Sequence, residues 1–287
     1  MIICIVGPTG VGKTKLSIEL AKKYNAIIVN CDAMQVYKEL NIGTAKPTLE
    51  EREGLPHYLL DFVPVEDNYT VYDYQKDARK IIEDNKDKNI IFVGGTGLYL
   101  KAALYDYRFP DEKANNDTYD DYSNEELYDL VLKKDKNSII HPNNRKRMIR
   151  FLNKEEIDIP KAKELYKACY IGLTTDRDNL YDRINKRVDV MVKDGLIEEV
   201  KSFYDKGIRC KSINTGIGYK ELYDYFDGQI TLDEALDLIK KRSRNYAKRQ
   251  YTFFNNQLDV KWFETNYEDF NKTISEVDDY IKKTTIN

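Results

Sequence analysis

The segment Gly7-Pro8-Thr9-Gly10-Val11-Gly12-Lys13-Thr14 sets glycines, a lysine and a threonine at the spacing G-x-x-x-x-G-K-[ST]. Residues of these types in this order suit phosphate binding. Successive N–H groups of the loop curl around phosphate oxygens, Lys13 adds a positive charge, and the Thr14 hydroxyl completes the shell of a Mg²⁺ ion held with the phosphate. A second reactive position is Asp32, which closes the run Ile27-Ile28-Val29-Asn30-Cys31-Asp32. At the end of a strand in a doubly wound sheet a carboxylate faces the ligand crevice. An aspartate at a strand end can equally be a cap or a turn former.

The elements needed to position these groups are legible around them. Ile2, Ile3, Ile5 and Val6 read as a buried strand, and Leu16, Ile18, Leu20 and Ala21 give an apolar face to the helix that follows the loop. The first hundred or so residues alternate strand and helix, with strands at Ala26 to Asn30 and Ile90 to Val93 and helices at Val71 to Ile82 and Leu98 to Tyr105. The expected fold is therefore α/β, a P-loop NTPase-like doubly wound parallel sheet. A P-loop NTPase carries a second strand that ends in an aspartate near the metal. Here the candidate strand runs into Gly94-Gly95-Thr96, so that carboxylate is missing, and Asp32 is expected to face the loop from an adjacent strand.

Between Pro110 and Pro160 the sequence turns polar and acidic, with Asp111, Glu112, Asp117, Asp120, Asp121, Glu125, Glu126 and Asp129, and then basic after His141-Pro142. This is read as a mainly helical insertion domain over 106–167, set into a core of 1–105 and 168–287. Within the core, later helices are expected at Arg177 to Lys193, Leu196 to Tyr204, Leu232 to Phe254 and Tyr267 to Lys283, and strands at Cys169 to Leu173 and Val260 to Phe263. A net charge of -3 argues against a chain coated in base, yet the signs are segregated. Arg145, Lys146, Arg147 and Arg150 form one basic cluster, and Lys240, Lys241, Arg242, Arg244, Lys248 and Arg249 form another. Such clusters fit a docked polyanion, or equally a pair of solvated helix faces. No run reaches the roughly 18 apolar residues of a membrane span, and the first strand begins at once, so a cytoplasmic protein is expected, without membrane contact. Cys4, Cys31, Cys169 and Cys210 are scattered without a C-x-x-C pair, so reduced thiols are expected rather than disulfides or a zinc site.

The stretch Asp32-Ala33-Met34-Gln35-Val36-Tyr37, followed by Ile42-Gly43-Thr44-Ala45-Lys46-Pro47, resembles the signature of tRNA dimethylallyltransferases. Further landmarks of that family follow in its order: Pro56 to Asp61, Val93 to Tyr99, His141-Pro142-Asn143, Arg183-Ile184 with Arg187-Val188, Gly195 to Val200, Gly218 to Glu221, and Lys248-Arg249-Gln250. Together they span nearly the whole chain. The resemblance implies transfer of a dimethylallyl group from dimethylallyl diphosphate to the exocyclic amine of the adenosine 3′-adjacent to the anticodon, with Mg²⁺ as cofactor and the tRNA anticodon stem-loop as partner. A monomer is expected.

The resemblance also implies roles. Asp32 would be the general base, the loop Gly7 to Thr14 would hold the diphosphate, Thr9 would bond its bridging oxygen, Thr14 would serve the metal, and Lys13 and Arg187 would stabilise the leaving charge. Without that context Arg187 could be a helix arginine paired with Asp182 or Asp189. Contacts to tRNA would come from Asp32, Ala33, Met34, Gln35 and Thr96, from Gly218, Tyr219 and Lys220, from Lys248, Arg249 and Gln250, and from Lys146, Arg147 and Arg150. Tyr251, Phe253 and Phe254 could stack on splayed bases or fill a core. The chain departs from the family pattern at Ala33, where serine is usual, at Asn41, at Thr215-Gly216, and at Phe253, Asn255 and Asn256 after Lys248-Arg249-Gln250. Two other readings compete: a small-molecule or nucleotide kinase, whose fold and loop would look alike, and a non-catalytic RNA-binding P-loop protein.

Overall fold

A run such as Ile3-Cys4-Ile5-Val6, with no solvent-facing position, belongs in the middle of a parallel sheet covered on both sides. The computed structural model, which describes residues 1–109, 117–138, 140–153 and 163–285, places it there. In chain order the elements are β1 (Ile2–Val6), α1 (Lys13–Tyr24), β2 (Ala26–Asn30), β3 (His57–Tyr58), α2 (Val71–Asp84), β4 (Asn89–Val93) and α3 (Gly97–Leu104). There follow α4 (Asn124–Lys134), α5 (Arg145–Leu152), β5 (Ala168–Thr174), α6 (Arg177–Lys193), α7 (Leu196–Asp205), α8 (Lys211–Thr215), α9 (Tyr219–Phe226), α10 (Leu232–Gln257), β6 (Lys261–Glu264) and α11 (Phe270–Thr285).

The strands pair in parallel in the order β3-β2-β4-β1-β5-β6. Side chains alternate between two apolar layers. Cys4, Val6, Val29 and Phe92 pack with α2, α3, α7, α9 and α10, whereas Ile3, Ile5, Ile28 and Ile91 pack with α1, α6 and α11. This is the doubly wound P-loop architecture expected from the alternation. One expectation needs correction: β4 lies between β1 and β2, so Asp32 does not come from the strand beside the loop strand.

The chain divides into two compact units, Met1–Tyr105 with Glu164–Asn287, and Asp106–Lys163. Leu165 and Tyr166 both donate their N–H groups to Leu104 O, at 2.8 and 3.2 Å, so the returning segment joins the larger unit just before β5. Residue 168, where the sequence placed that return, already lies in β5. In the smaller unit α4 and α5 share a core of Leu127, Val131, Ile140 and Met148. A reciprocal cap between Ser123 and Glu126 starts α4. Asp111 and Glu112 of the acidic stretch, and positions 154–162 of the expected insertion, lie outside the described residues.

Two helices, α8 and α9, were not expected, and α11 begins at Phe270 rather than Tyr267. The delay has a local cause: Asn266 Oδ1 accepts the N–H groups of Glu268 and Asp269, at 3.1 and 2.9 Å, and holds a turn there. Once formed, α11 is tied to the P-loop helix through Asp278, which is 3% exposed and receives Lys23 Nζ at 2.6 Å, Lys282 Nζ at 2.7 Å and the Tyr24 hydroxyl at 2.7 Å. Burial alone would push this carboxyl up, but those three donors outweigh it and bring it from 3.8 down to about 2. A depressed carboxyl stabilises the fold above its unfolded value and loses that contribution as the pH falls through the folded one. Asp278→Asn is therefore expected to cost about 2 kcal/mol at neutral pH. Thermal unfolding should show the gap to the unaltered protein closing between pH 4 and pH 2, and a gap that does not change with pH would contradict this account.

Candidate functional site

The phosphate loop is built between β1 and α1, and its last bend requires Gly12, which sits at φ 91°. Lys13 Nζ folds over the loop and donates to Pro8 O at 2.6 Å. Burial, reinforced by the positive charge of Arg187 and opposed by Asp32, lowers the Lys13 ammonium to about 7. An anion on the loop would restore its charge. From α6, Arg187 Nη1 donates to Thr9 Oγ1 at 2.9 Å. Arg187 is not taken up by its helix neighbours, because Asp182 pairs with Lys186 and Asp189 with Lys240. Burial lowers the Arg187 pKa, and Asp32 and Glu51 counter it.

The outside of the loop is braced by residues whose part was not foreseen. Arg183 Nε donates to Gly10 O at 3.1 Å, with its guanidinium 3.7 Å from the centre of the Tyr267 ring. The Thr265 hydroxyl donates to Val11 O at 3.0 Å.

Asp32 follows β2 in a turn closed on both sides. Its N–H donates to Asn30 Oδ1 at 3.2 Å, the Asn30 amide donates to Asp32 O at 3.1 Å, and Asp32 Oδ1 accepts the Met34 N–H at 2.9 Å. The turn-forming role left open by the sequence is thus real, but it uses one carboxylate oxygen only. Oδ2 has no hydrogen-bond partner among the described residues, and Asp32 lines the cavity described below. Burial pushes the thiol of its neighbour Cys31 up to about 12, so no second anion competes beside it at neutral pH.

The glycines after β4 explain the missing carboxylate. A Cβ on Gly94 would lie 2.2 Å from the backbone carbonyl of Cys31, and one on Gly95 would lie 2.0 Å from Gln250 Nε2. With the chain after β2 crossing so closely, position 94 cannot carry a side chain, and the carboxylate of Asp32 reaches the cavity from the crossing chain instead. Thr96 secures the crossing: its N–H donates to Cys31 O at 3.0 Å and its hydroxyl accepts the Ala33 N–H at 3.0 Å. Ala33 and Thr96 thus hold the Asp32 turn from just outside the cavity lining.

All of this opens on a cavity of about 1020 Å³ in the larger unit. Its lining brings Thr9, Gly10, Gly12, Lys13 and Thr14 together with Asp32, Met34, Gln35 and Arg187, and with Gly218, Tyr219, Arg249 and Gln250. Gly7, Pro8 and Val11 supply loop backbone without lining it. Lys220 lines an adjoining recess of about 300 Å³ with Arg242 and Arg249. Gln35 Nε2 is committed to the carbonyls of Thr44 and Ala45, at 3.0 and 3.1 Å.

Helix α10 forms one wall. Ile239, Ser243, Tyr246 and Gln250 line the cavity at helical spacing, a pattern that could have singled out Tyr246, which was missed. Burial first, and then the negative charge of Asp32, raise the Tyr246 phenol. Gln250 is buried: Nε2 donates to Gly95 O at 3.0 Å, and Oε1 has no partner among the described residues. Half of the basic cluster on this helix is spent internally, since Lys240 pairs with Asp189, Arg242 with Glu221, and Arg244 donates to Asn185. Lys248 and Arg249 are exposed. The aromatics that follow are packing residues. Phe254 is fully buried, Phe253 packs beside Gly97, and Tyr251 bonds Thr174 at 2.7 Å. In the smaller unit, Lys146, Arg147 and Arg150 are exposed on α5, whereas Arg145 is used to hold the carbonyls of Tyr119 and Tyr122.

Among the described residues no group of three or more His, Cys, Asp or Glu side chains could hold a metal by itself. The donors present fit a hard cation shared with a phosphate. The Thr14 hydroxyl lines the cavity, makes no hydrogen bond among the described residues, and is an oxygen donor of the kind Mg²⁺ prefers.

The chain is similar to known proteins over nearly its whole length. A family model described as IPP transferase matches residues 35–257. The chain is 46% identical over 299 residues to a tRNA dimethylallyltransferase of Anoxybacillus flavithermus, covering 98% of this chain and 96% of the relative. It is also 46% identical over 285 residues to one of Bacillus subtilis, covering 92% and 90%. The crystal structure of the full-length tRNA isopentenylpyrophosphate transferase from Bacillus halodurans superposes with a TM-score of 0.79 at 44% identity, over 98% of this chain and 95% of that one. A eukaryotic dimethylallyltransferase captured acting on tRNA gives a TM-score of 0.79 at 28% identity, over 98% and 79%.

Proposed function

Since this chain belongs to the IPP transferase family, we propose that its cavity moves a dimethylallyl group from dimethylallyl diphosphate to the exocyclic amine of the tRNA adenosine 3′-adjacent to the anticodon, releasing diphosphate. The observation that carries the reading is the meeting of two kinds of group in one cavity: a carboxylate with a free oxygen, Asp32, and a phosphate loop backed by Lys13 and Arg187.

The chemistry follows from what each group can do. The adenine amine is a weak nucleophile because its lone pair is delocalised into the ring. As nitrogen bonds to the allylic carbon, its proton passes to Asp32 Oδ2, while the carbon–oxygen bond breaks and its electrons leave with the diphosphate. The N–H groups of the loop, Lys13 and Arg187 stabilise the charge that grows on the leaving oxygens. Thr14, with phosphate oxygens, would hold Mg²⁺, which when bound supplies a Lewis acid to the departing diphosphate. Thr9 Oγ1 accepts from Arg187, so its own proton is free to be donated to the bridging oxygen.

The target base must leave its stack to reach Asp32, at a cost of roughly a few kcal/mol. Cations on RNA phosphates offset that cost. Exposed Lys248 and Arg249 on α10, Lys220 near the start of α9, and Lys146, Arg147 and Arg150 on α5 are the side chains suited to them. Gly218, Tyr219, Met34 and Gln35 then line the approach to Asp32. We further infer a monomer at work in the cytoplasm. No described helix is long and apolar enough to cross a membrane.

The experiment is direct. Incubation with unmodified tRNA, Mg²⁺ and dimethylallyl diphosphate, followed by nuclease digestion and mass spectrometry, should reveal adenosine heavier by one dimethylallyl unit. No product together with transfer of an ATP γ-phosphate would favour the kinase reading. No product and no ATP turnover would favour a non-catalytic RNA binder.

A further inference from the structure

Glu199 on α7 does not line the cavity, yet it holds two of its walls. Its Oε2 accepts the N–H groups of Asn41 and Ile42, at 3.1 and 2.8 Å, and its Oε1 accepts that of Gly43 at 3.1 Å. Three successive backbone donors converging on one carboxylate form an anion nest filled by the protein itself. The same Oε1 accepts the Tyr219 hydroxyl at 2.6 Å. On one side, then, Glu199 fixes the loop that continues into Thr44 and Ala45, whose carbonyls hold Gln35, three residues beyond Asp32. On the other side it fixes Tyr219, at the start of α9. There the Gly218 N–H is already bound to Glu221 Oε2 at 2.7 Å.

The phosphate end has separate supports, Arg183 on Gly10 and Thr265 on Val11. No hydrogen bond links Glu199 to either of them among the described residues.

We propose that Glu199 is a positioning residue for the acceptor side of the reaction: it sets the spacing between the Gln35 loop and the Gly218–Tyr219 turn, where the adenosine must pass, without acting on the prenyl diphosphate. The inference rests on the tRNA prenyl-transfer reading above.

Glu199→Gln in the full chain tests it. The amide keeps the length of the side chain but removes the charge and sets an N–H group against backbone donors. The expected result is a KM for tRNA raised about tenfold or more, with the KM for dimethylallyl diphosphate and the Kd for inorganic diphosphate changed by less than about twofold. Tyr219→Phe keeps the ring in the cavity wall and the three backbone bonds to Glu199 while removing the hydroxyl that Glu199 holds, so it should raise the tRNA KM in the same direction by about threefold. This second variant carries the test if Glu199→Gln does not fold. Unchanged tRNA KM in the variants, or a parallel loss of diphosphate affinity, overturns the inference. Wild-type protein that forms no prenylated adenosine overturns instead the reading on which it rests.

Discussion

Asp32→Asn is expected to lower kcat for prenyl transfer by about 10²-fold or more, the usual loss when a general base is removed. Asparagine is the informative choice because of the turn. Its Oδ1 can still accept the Met34 N–H that Asp32 Oδ1 accepts at 2.9 Å, so the chain that crosses Gly94 stays in place. What is lost is the basicity of the second oxygen. Asp32→Ala would remove the Met34 bond and the base together, and a slow enzyme would then say little. With Asn, the KM values for tRNA and dimethylallyl diphosphate should stay within about threefold, as befits a group whose main interaction strengthens in the transition state. Steady-state kinetics with both substrates varied, joined to a direct measurement of diphosphate binding, separates the outcomes. If Asn abolishes diphosphate binding, Asp32 belongs to the metal shell; if kcat is unchanged, another group takes the proton.

Why the phosphate loop and the Asp32 turn could be read from sequence, and the bonds made by Glu199 could not, is a matter of distance along the chain. The phosphate loop and the Asp32 turn are contiguous segments whose residue types follow from local needs: amides for an anion, glycine for the bend, a carboxylate at a strand end. The parallel sheet was legible for a similar reason, since buried runs such as Ile27-Ile28-Val29 leave few other options. The supports of the site carry no such local pattern. Arg183 meets Gly10 across 173 positions, Glu199 meets Ile42 across 157, and Thr265 meets Val11 across 254.

Strand order was misjudged because nothing in Ala26 to Asp32 states which strand will sit beside it. Gly94-Gly95 showed that a carboxylate was missing but not the reason, the backbone of Cys31 lying where a Cβ would be. Tyr251, Phe253 and Phe254 show a different limit. An aromatic run beside Lys248 and Arg249 looks the same whether it stacks on bases or fills a core, and burial alone decided for the core at Phe254. The short α8 escaped because five residues hardly exceed one helical turn and show no period.

The second large effect is expected at Arg187. Arg187→Ala should lower kcat by about 10²- to 10³-fold, the range seen when a donor to developing charge is removed. It should also weaken diphosphate binding, because a charge is lost in both ground state and transition state. Arg187→Lys should recover only part of the rate. It keeps the charge but not the planar fork that can bond Thr9 and a phosphate oxygen together.

The 2.9 Å bond from Arg187 Nη1 to Thr9 Oγ1 makes a sharper claim available. If accepting from Arg187 is what turns the Thr9 proton towards the bridging oxygen, the two residues act as one device, and their effects cannot add. Thr9→Val alone should cost about tenfold in kcat. Combined with Arg187→Ala, it should cost little beyond the arginine change, since a hydroxyl that has lost its orienting partner has little left to lose. The double-mutant cycle is read in kcat under saturating prenyl diphosphate, so that the binding loss at Arg187 does not mask the coupling. Strict multiplication of the two single effects would show that Thr9 and Arg187 serve the diphosphate independently. A double variant close to Arg187→Ala would mean that the arginine works on the leaving group partly through the threonine it holds.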